Sequence, residues 1–439
     1  MLCMEPAART LSRDGNQLMF MNGYRCFACA AKQSPDFAGY LCPSCGGNLD
    51  ITYDYHSLAT EIAAGFDKNQ HDMFRYQPLL PVDEPKGHFP LRVGGTPLYQ
   101  VCRLGRLAGL QGLFLKDDSR NPSASFKDRA SAVVIRRAIE TGAEVVSAAS
   151  TGNAGSSLAC LAAAHGLRAV IFVPENAPDA KLAQSLSFGA SVLAVRGNYD
   201  DAFDLCLAAS REFGWFNRST GVNPFTREGK KTCSYVIWED LGKQVPDRVV
   251  VPSGDGNIIS GIWKGWRDLK AAGLIERLPK LDCAQSASSD AICRTVIRLR
   301  RQGEVKIDWS QVRVDEVSAS TIADSISVNR PRDGLAAVQA IIESGGEAVT
   351  VSDEEILEAV PEMAASTGVF PEPAAAAPWA AIKKLAGNRV INPNDMVVCI
   401  VSGSGLKDIE STRAAVGSAK LIEPALQAVR DSFPGFDRK

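Results

Sequence analysis

The chain reads as an α/β protein built on parallel sheet, with a small metal-ribbon-like segment ahead of it. Three observations predict this. From about residue 140 onward short apolar, β-branched runs alternate with amphipathic helical stretches. Several of these runs end in Gly-, Ser- or Asn-rich turns, and two CxxC pairs stand twelve residues apart near the start. Continuous β-branched strands separated by helices suit a parallel sheet covered on both faces. Ligands of open α/β sheets collect at the carboxyl ends of the strands, so the turns are where chemistry is sought.

Length and charge narrow the field. The 439 residues suffice for two or three domains with a sizeable core. With 48 Lys and Arg against 50 Asp and Glu, a net charge of -2 supplies no field for holding nucleic acid or an anionic membrane. No apolar run approaches the ~18 residues of a spanning helix. Arg9, Arg13 and Asp14 ahead of a short LMFM patch do not make a signal-peptide core. A cytoplasmic location, with neither nucleic acid nor membrane as partner, is the expectation.

In YRCFACAAKQSPDFAGYLCPSCGGNL, Cys26, Cys29, Cys42 and Cys45 form two knuckles that can present four thiolates tetrahedrally to a structural zinc ion. Only Arg25 and Lys32 add positive charge nearby, so the ribbon reads as a structural appendage. The other eight cysteines, such as Cys160 in LACLAAA and Cys399 in VVCIV, read as reduced core residues.

The strand–helix alternation then proceeds through EVVSAAS and SSLACLAAAHG, RAVIFVP and DAKLAQSLSFG, SVLAV and DDAFDLCLAASREFG, and RVVVP and IISGIWKGWRDL. PEPAAAAPWAA reads as a turn entering a tightly packed helix. Ahead of this series, SASFKDRASA places Lys127 in the first turn of a helix, with Ser125 and Asp128 as an SxxD capping box. A helix N-terminus and partial burial beside Phe126 both disfavour the charged amine, and a neutral amine is what a Schiff base with an aldehyde cofactor needs.

Three further turns follow strands. Ser150, Thr151, Gly152 and Asn153 open a helix whose free N–H groups suit a carboxylate or phosphate. Gly254, Asp255, Gly256 and Asn257 form a closer phosphate cradle, because two glycines let the backbone approach. DMVVCIVSGSGLKD ends a buried strand in Ser402 and Ser404. The dinucleotide pattern GxGxxG fails at Ile259, and no GxxxxGK[ST] loop occurs, so neither NAD nor ATP binding is supported. All four histidines lie at or before His165, which disfavours a Ser/His/Asp triad in the later loops.

Together these motifs are similar to the fold-type II pyridoxal-phosphate enzymes and most resemble the threonine synthase family. The family pattern NPTGSFKDRG is matched by NPSASFKDRA at Asn121 to Ala130, STGN by Ser150 to Asn153, and TGHGLKD by SGSGLKD at Ser402 to Asp408. GGTPL from Gly94 to Leu98, VSDEEILEA and GVFPEPA stand in the family order, so the likeness spans roughly residues 20 to 420.

The resemblance implies two open parallel-sheet domains: a larger one from 76–137 and 246–439 that binds pyridoxal 5'-phosphate, and a smaller one at 138–245. The segment 1–75 would carry the zinc ribbon at about 22–53. It further implies that Lys127 holds the cofactor and moves protons, that Asn153 bonds its O3′, and that Ser402 meets the pyridine nitrogen. Gly254, Asp255, Gly256, Asn257 and Ile258 would cradle the cofactor phosphate, and the backbone of Ser150, Thr151 and Gly152 would take the substrate carboxylate. Dimers are common for this fold, so a homodimer is implied. The activity implied is conversion of O-phosphohomoserine and water to threonine and phosphate.

One segment departs from the family. Where the pattern is NSxNPxR, this chain reads STGVNPFTREGKKT, which puts the arginine on Thr226 and the Asn–Ser pair on Thr220 and Gly221. If Arg227, one place later, meets the substrate phosphate, the substrate is retained. Otherwise a β-replacement on O-phosphoserine, as in cysteate synthase, or dehydration of a hydroxyamino acid stands as the alternative. Ser123 and Ala124 replace a threonine and a glycine in the lysine motif.

Overall fold

The computed structural model describes residues 20–63, 65–67, 69–83, 89–303 and 307–433. Cys3 and the stretch from Arg9 to Asp14 lie outside them. Three sheets organise the chain. A small antiparallel one orders Lys32–Gln33, Met21–Cys26 and Leu49–Tyr53. A four-stranded parallel sheet runs Ser191–Val195, Arg168–Pro174, Val145–Ala149 and Phe216–Asn217. A six-stranded sheet runs Ala348–Val351, Lys280–Ser286, Arg248–Pro252, Met396–Val401, Gly112–Asp117 and Leu98–Gln100, parallel except for the last pair.

The central strands are buried along their whole length, as VVSAA and RVVVP require when helices cover both faces. Ser191–Val195 is largely exposed and forms an edge of its sheet. The helix Pro373–Gly387 opens with Pro373 at its start, where a missing N–H costs nothing, and packs its alanines against the six-stranded sheet. The helix Phe225–Asp240, which the sequence assigned with the smaller domain, buries Tyr235, Ile237 and Trp238 with Val249, Ile262 and Trp266 in the core of the larger sheet. The chain therefore crosses back soon after Asn217.

Two local expectations are corrected. Ser125 does not form a capping box with Asp128; the Asp128 carboxylate reaches back to Ser123, accepting from its N–H at 2.7 Å and its hydroxyl at 2.5 Å. Cys102 is exposed, whereas Cys160, Cys206, Cys233, Cys283, Cys293 and Cys399 are buried thiols. Its position opening the short helix Cys102–Leu107 presents it to solvent.

Candidate active site

A cleft of about 650 Å³ gathers the carboxyl ends of strands from both parallel sheets. Its lining includes Lys127, Ser150 to Asn153, Gly254 to Ile258 and Ser402, so turns far apart in the chain converge on one space.

Lys127 begins the helix Lys127–Glu140. The loop before it is laced to the turn after Met396–Val401: Phe126 N–H donates to the Ser402 carbonyl at 2.8 Å, Ser404 N–H to the Ala124 carbonyl at 3.1 Å, and Ser125 bridges Gly403. Ala124 has φ +62, a left-handed conformation that costs any residue but glycine, which explains why the family pattern has glycine there. Lys127 is half-buried and lines the cleft. Enclosure is the main reason its pKa falls below that of an ordinary lysine; Glu372 opposes the fall and Arg218 adds to it.

Asn153 opens the helix Asn153–Ala164, with its side-chain amide held 2.9 Å from both carboxylate oxygens of Glu372. Glu372 is 3% exposed, and its own N–H donates to the Gly403 carbonyl at 3.0 Å. Burial pushes its carboxyl pKa up, against the Asn153 hydrogen bond and the charge of Lys127. A Cβ on Gly403 would stand 2.5 Å from this carboxylate, so glycine is needed for the approach. Ser402, 2% exposed, ends the strand beside them.

The cradle leads into the helix Asn257–Ala271. A Cβ at Gly254 would lie 2.9 Å from the Ile326 Cα, and Gly256 has φ +87 with the Asp333 carbonyl 3.0 Å from any Cβ. Only glycine fits at both places, which leaves bare backbone toward the cleft and first-turn N–H groups without helical partners. That combination fits a phosphate. Asp255 is half-buried in the loop and accepts from Arg332 N–H at 3.2 Å; its removal from water raises its pKa.

Behind the cradle, Asp333 gathers four donors. Asn257 Nδ2 at 2.8 Å, Ser260 Oγ at 2.6 Å and Asn48 Nδ2 at 2.9 Å reach its carboxylate, and Arg227 Nη2 forms an ion pair with it. Arg227 also donates to the Leu49 carbonyl at 2.9 Å and lies over the Phe27 ring, 4.4 Å from its centre. The expectation that Arg227 meets a substrate is therefore corrected: its side chain is 3% exposed, turned to the ribbon and absent from the cleft lining. Successive helix positions point about 100° apart, and Thr226, not Arg227, faces the cradle through Asn257 Oδ1 at 3.4 Å.

In the ribbon the sulfurs of Cys26, Cys29, Cys42 and Cys45 lie within 4.8 Å of one another. Tetrahedral Zn–S bonds of about 2.3 Å place sulfurs about 3.8 Å apart, so the set suits one zinc ion.

Four residues of this region escaped the motifs. Glu372 lies in a quoted family segment but carries no signal of burial. Lys407 lies in SGSGLKD; its Nζ donates to Ser156 Oγ at 3.0 Å and Gln184 Oε1 at 2.6 Å beside the cleft. Arg218 and Lys230 line the cleft itself.

A lysine at a helix start, an asparagine-led helix, a glycine cradle and a strand-end serine around one cleft make the architecture of a fold-type II pyridoxal-phosphate enzyme. A family described as pyridoxal-phosphate dependent enzyme matches residues 90–403. Threonine synthase of Methanocaldococcus jannaschii is 38% identical over 386 residues, 88% of this chain and 92% of that protein. The threonine synthase of Methanosarcina acetivorans is 35% identical over 415 residues, 94% of this chain and 98% of its own. In fold, threonine deaminase isoform 2 from Solanum lycopersicum aligns with a TM-score of 0.61 at 20% identity over 74% of this chain and 88% of that one. Diaminopropionate ammonia lyase from Escherichia coli aligns with a TM-score of 0.61 at 17% identity over 80% and 92%. The chain belongs to the threonine synthase family of pyridoxal-phosphate dependent enzymes. Among the described residues no helix is long and apolar enough to cross a membrane.

Proposed function

We propose that this chain converts O-phosphohomoserine and water to threonine and phosphate, with pyridoxal phosphate held at Lys127. The convergence of Lys127, Asn153, the Gly254 to Ile258 loop and Ser402 on one cleft carries the reading. When bound, the cofactor supplies an electron-withdrawing ring that makes the hydrogens at Cα and then Cβ of the substrate removable.

Lys127, driven toward the neutral amine by burial, takes and returns these protons. Glu372 fixes the direction of the Asn153 amide, which serves the ring oxygen. Ser402 offers the ring nitrogen a neutral hydroxyl, which favours elimination and replacement over transamination. The N–H groups of Ser150 to Gly152, at the start of a helix, take the substrate carboxylate. In the substrate the Cγ–O bond breaks, phosphate leaves, Cγ gains hydrogen, and the oxygen of water bonds to Cβ.

Thr226 at the place of the family arginine favours a second reading, β-replacement on O-phosphoserine. Phosphate release by the cofactor-loaded enzyme on each compound, with the amino-acid product identified, separates the two. Threonine from O-phosphohomoserine is expected; release from O-phosphoserine alone would move the enzyme to β-replacement, and silence on both would remove the phosphorylated substrate.

The four ribbon thiols hold a structural zinc ion in this reading. Metal analysis should find about one zinc per chain, lost on replacing Cys42 and Cys45 together with serine. Zinc retained in that variant would refute the site.

A further inference from the structure

Among the described residues six cationic side chains line the cleft: Lys127, Lys181, Arg218, Lys230, Arg330 and Arg332. Three already have carboxylate partners: Lys181 with Asp324 at 2.9 Å, Arg330 with Glu316 at 3.2 Å, and Arg332 with Asp200. Lys127 is taken by the cofactor. Lys230, fully buried, donates its Nζ to the Asn257 side chain at the cradle, so the cofactor phosphate accounts for it.

Arg218 is left. It follows the strand Phe216–Asn217 on the side of the smaller sheet, and its N–H is fixed to the Ser147 carbonyl at 2.7 Å. Its guanidinium is fully buried, with Nε on Ser131 Oγ at 3.2 Å and Nη1 on Thr220 Oγ1 at 2.7 Å. Nη2 is buried without a partner. Burial lowers its pKa to about 10, which leaves it charged near neutral pH. Asp128 and Asp255 favour its charge without forming an ion pair with it, and a buried guanidinium whose Nη2 lacks a partner in a ligand cleft is completed by an anion. The cofactor brings one phosphate, and the cradle holds it. The substrate of the reading above brings a second.

We propose that Arg218 binds the phosphate of the substrate, supported by the Thr220 hydroxyl, and so does the work of the arginine missing at Thr226. The hydroxyl that accepts from Nη1 keeps its own hydrogen for a phosphate oxygen, and Nη2 supplies a charge-assisted bond.

The test uses the cofactor-loaded enzyme and two probes that share the α-amino and α-carboxylate groups: an amino acid ending in a phosphonate, and norleucine, which ends in methyl. Binding is read from the cofactor's absorbance. In Arg218→Gln the phosphonate should bind about 10- to 100-fold more weakly while norleucine is unaffected. Arg218→Lys keeps the charge but not the planar fork, and should lose phosphonate affinity selectively but less. Equal losses for both probes would assign Arg218 to the carboxylate or to the fold and overturn the proposal, as would unchanged phosphonate binding. A wild type that prefers norleucine would overturn the phosphorylated-substrate reading as well. Threonine formation by the wild type, together with equal losses, would overturn the role of Arg218 alone.

Discussion

Lys127→Ala should abolish turnover, lowering kcat by a factor on the order of 10⁴ or more, because acid–base help and the covalent hold on the cofactor vanish together. The fold should survive. Burial disfavours the charged form of this lysine, so its removal relieves a cost instead of breaking a pair. The cradle, Asn153 and Ser402 are untouched, and the variant should still take up cofactor, now without the absorbance of the Schiff base. Phosphate release from O-phosphohomoserine is the assay, and a near wild-type rate would refute the role of Lys127.

Arg227→Ala should give the opposite signature. Its guanidinium and the Asp333 carboxylate are both buried, so truncation strands a carboxylate away from water at a cost of about 3–5 kcal/mol. Denaturant unfolding of the variant should show that loss. Cofactor affinity should fall as Asn257 loses a firm acceptor, while the KM for the phosphorylated substrate, measured at saturating cofactor, should hold. A stability within about 1 kcal/mol of wild type with a raised KM would instead place Arg227 at the substrate.

The contrast between these residues shows what the sequence could carry. Lys127, Asn153, the glycine cradle and Ser402 are legible because each sits at a fixed offset from a strand end or helix start, and that offset decides where it points. Parallel sheet was legible for the same reason, from runs such as VVSAA and RVVVP. Arg227 misleads because one position along a helix turns a side chain by about 100°, and the side facing the cradle cannot be told from spacing in STGVNPFTREGKKT. Arg218 and Asp333 are silent in sequence because their meaning is relational. One is a buried cation whose Nη2 has no hydrogen-bond partner, the other a buried carboxylate with four donors, and both facts exist only after folding. The local choice of Ser123 over Ser125 by Asp128 is equally hidden: Ser125 stands at the capping-box spacing, yet in the fold its hydroxyl faces the Ser123 hydroxyl at 3.4 Å while Ser123 takes the carboxylate.

The hydrogen bond from Asn48 to Asp333 changes what the start of the chain is. Asn48 follows the second cysteine knuckle, Phe27 lies within the first, and both touch the Arg227–Asp333 pair that backs the cradle. The ribbon is thus no detachable handle. Trimming the chain to its catalytic body would cut away part of the scaffold behind the cofactor phosphate, and a shortened enzyme would be judged inactive for want of a wall and not of a catalyst.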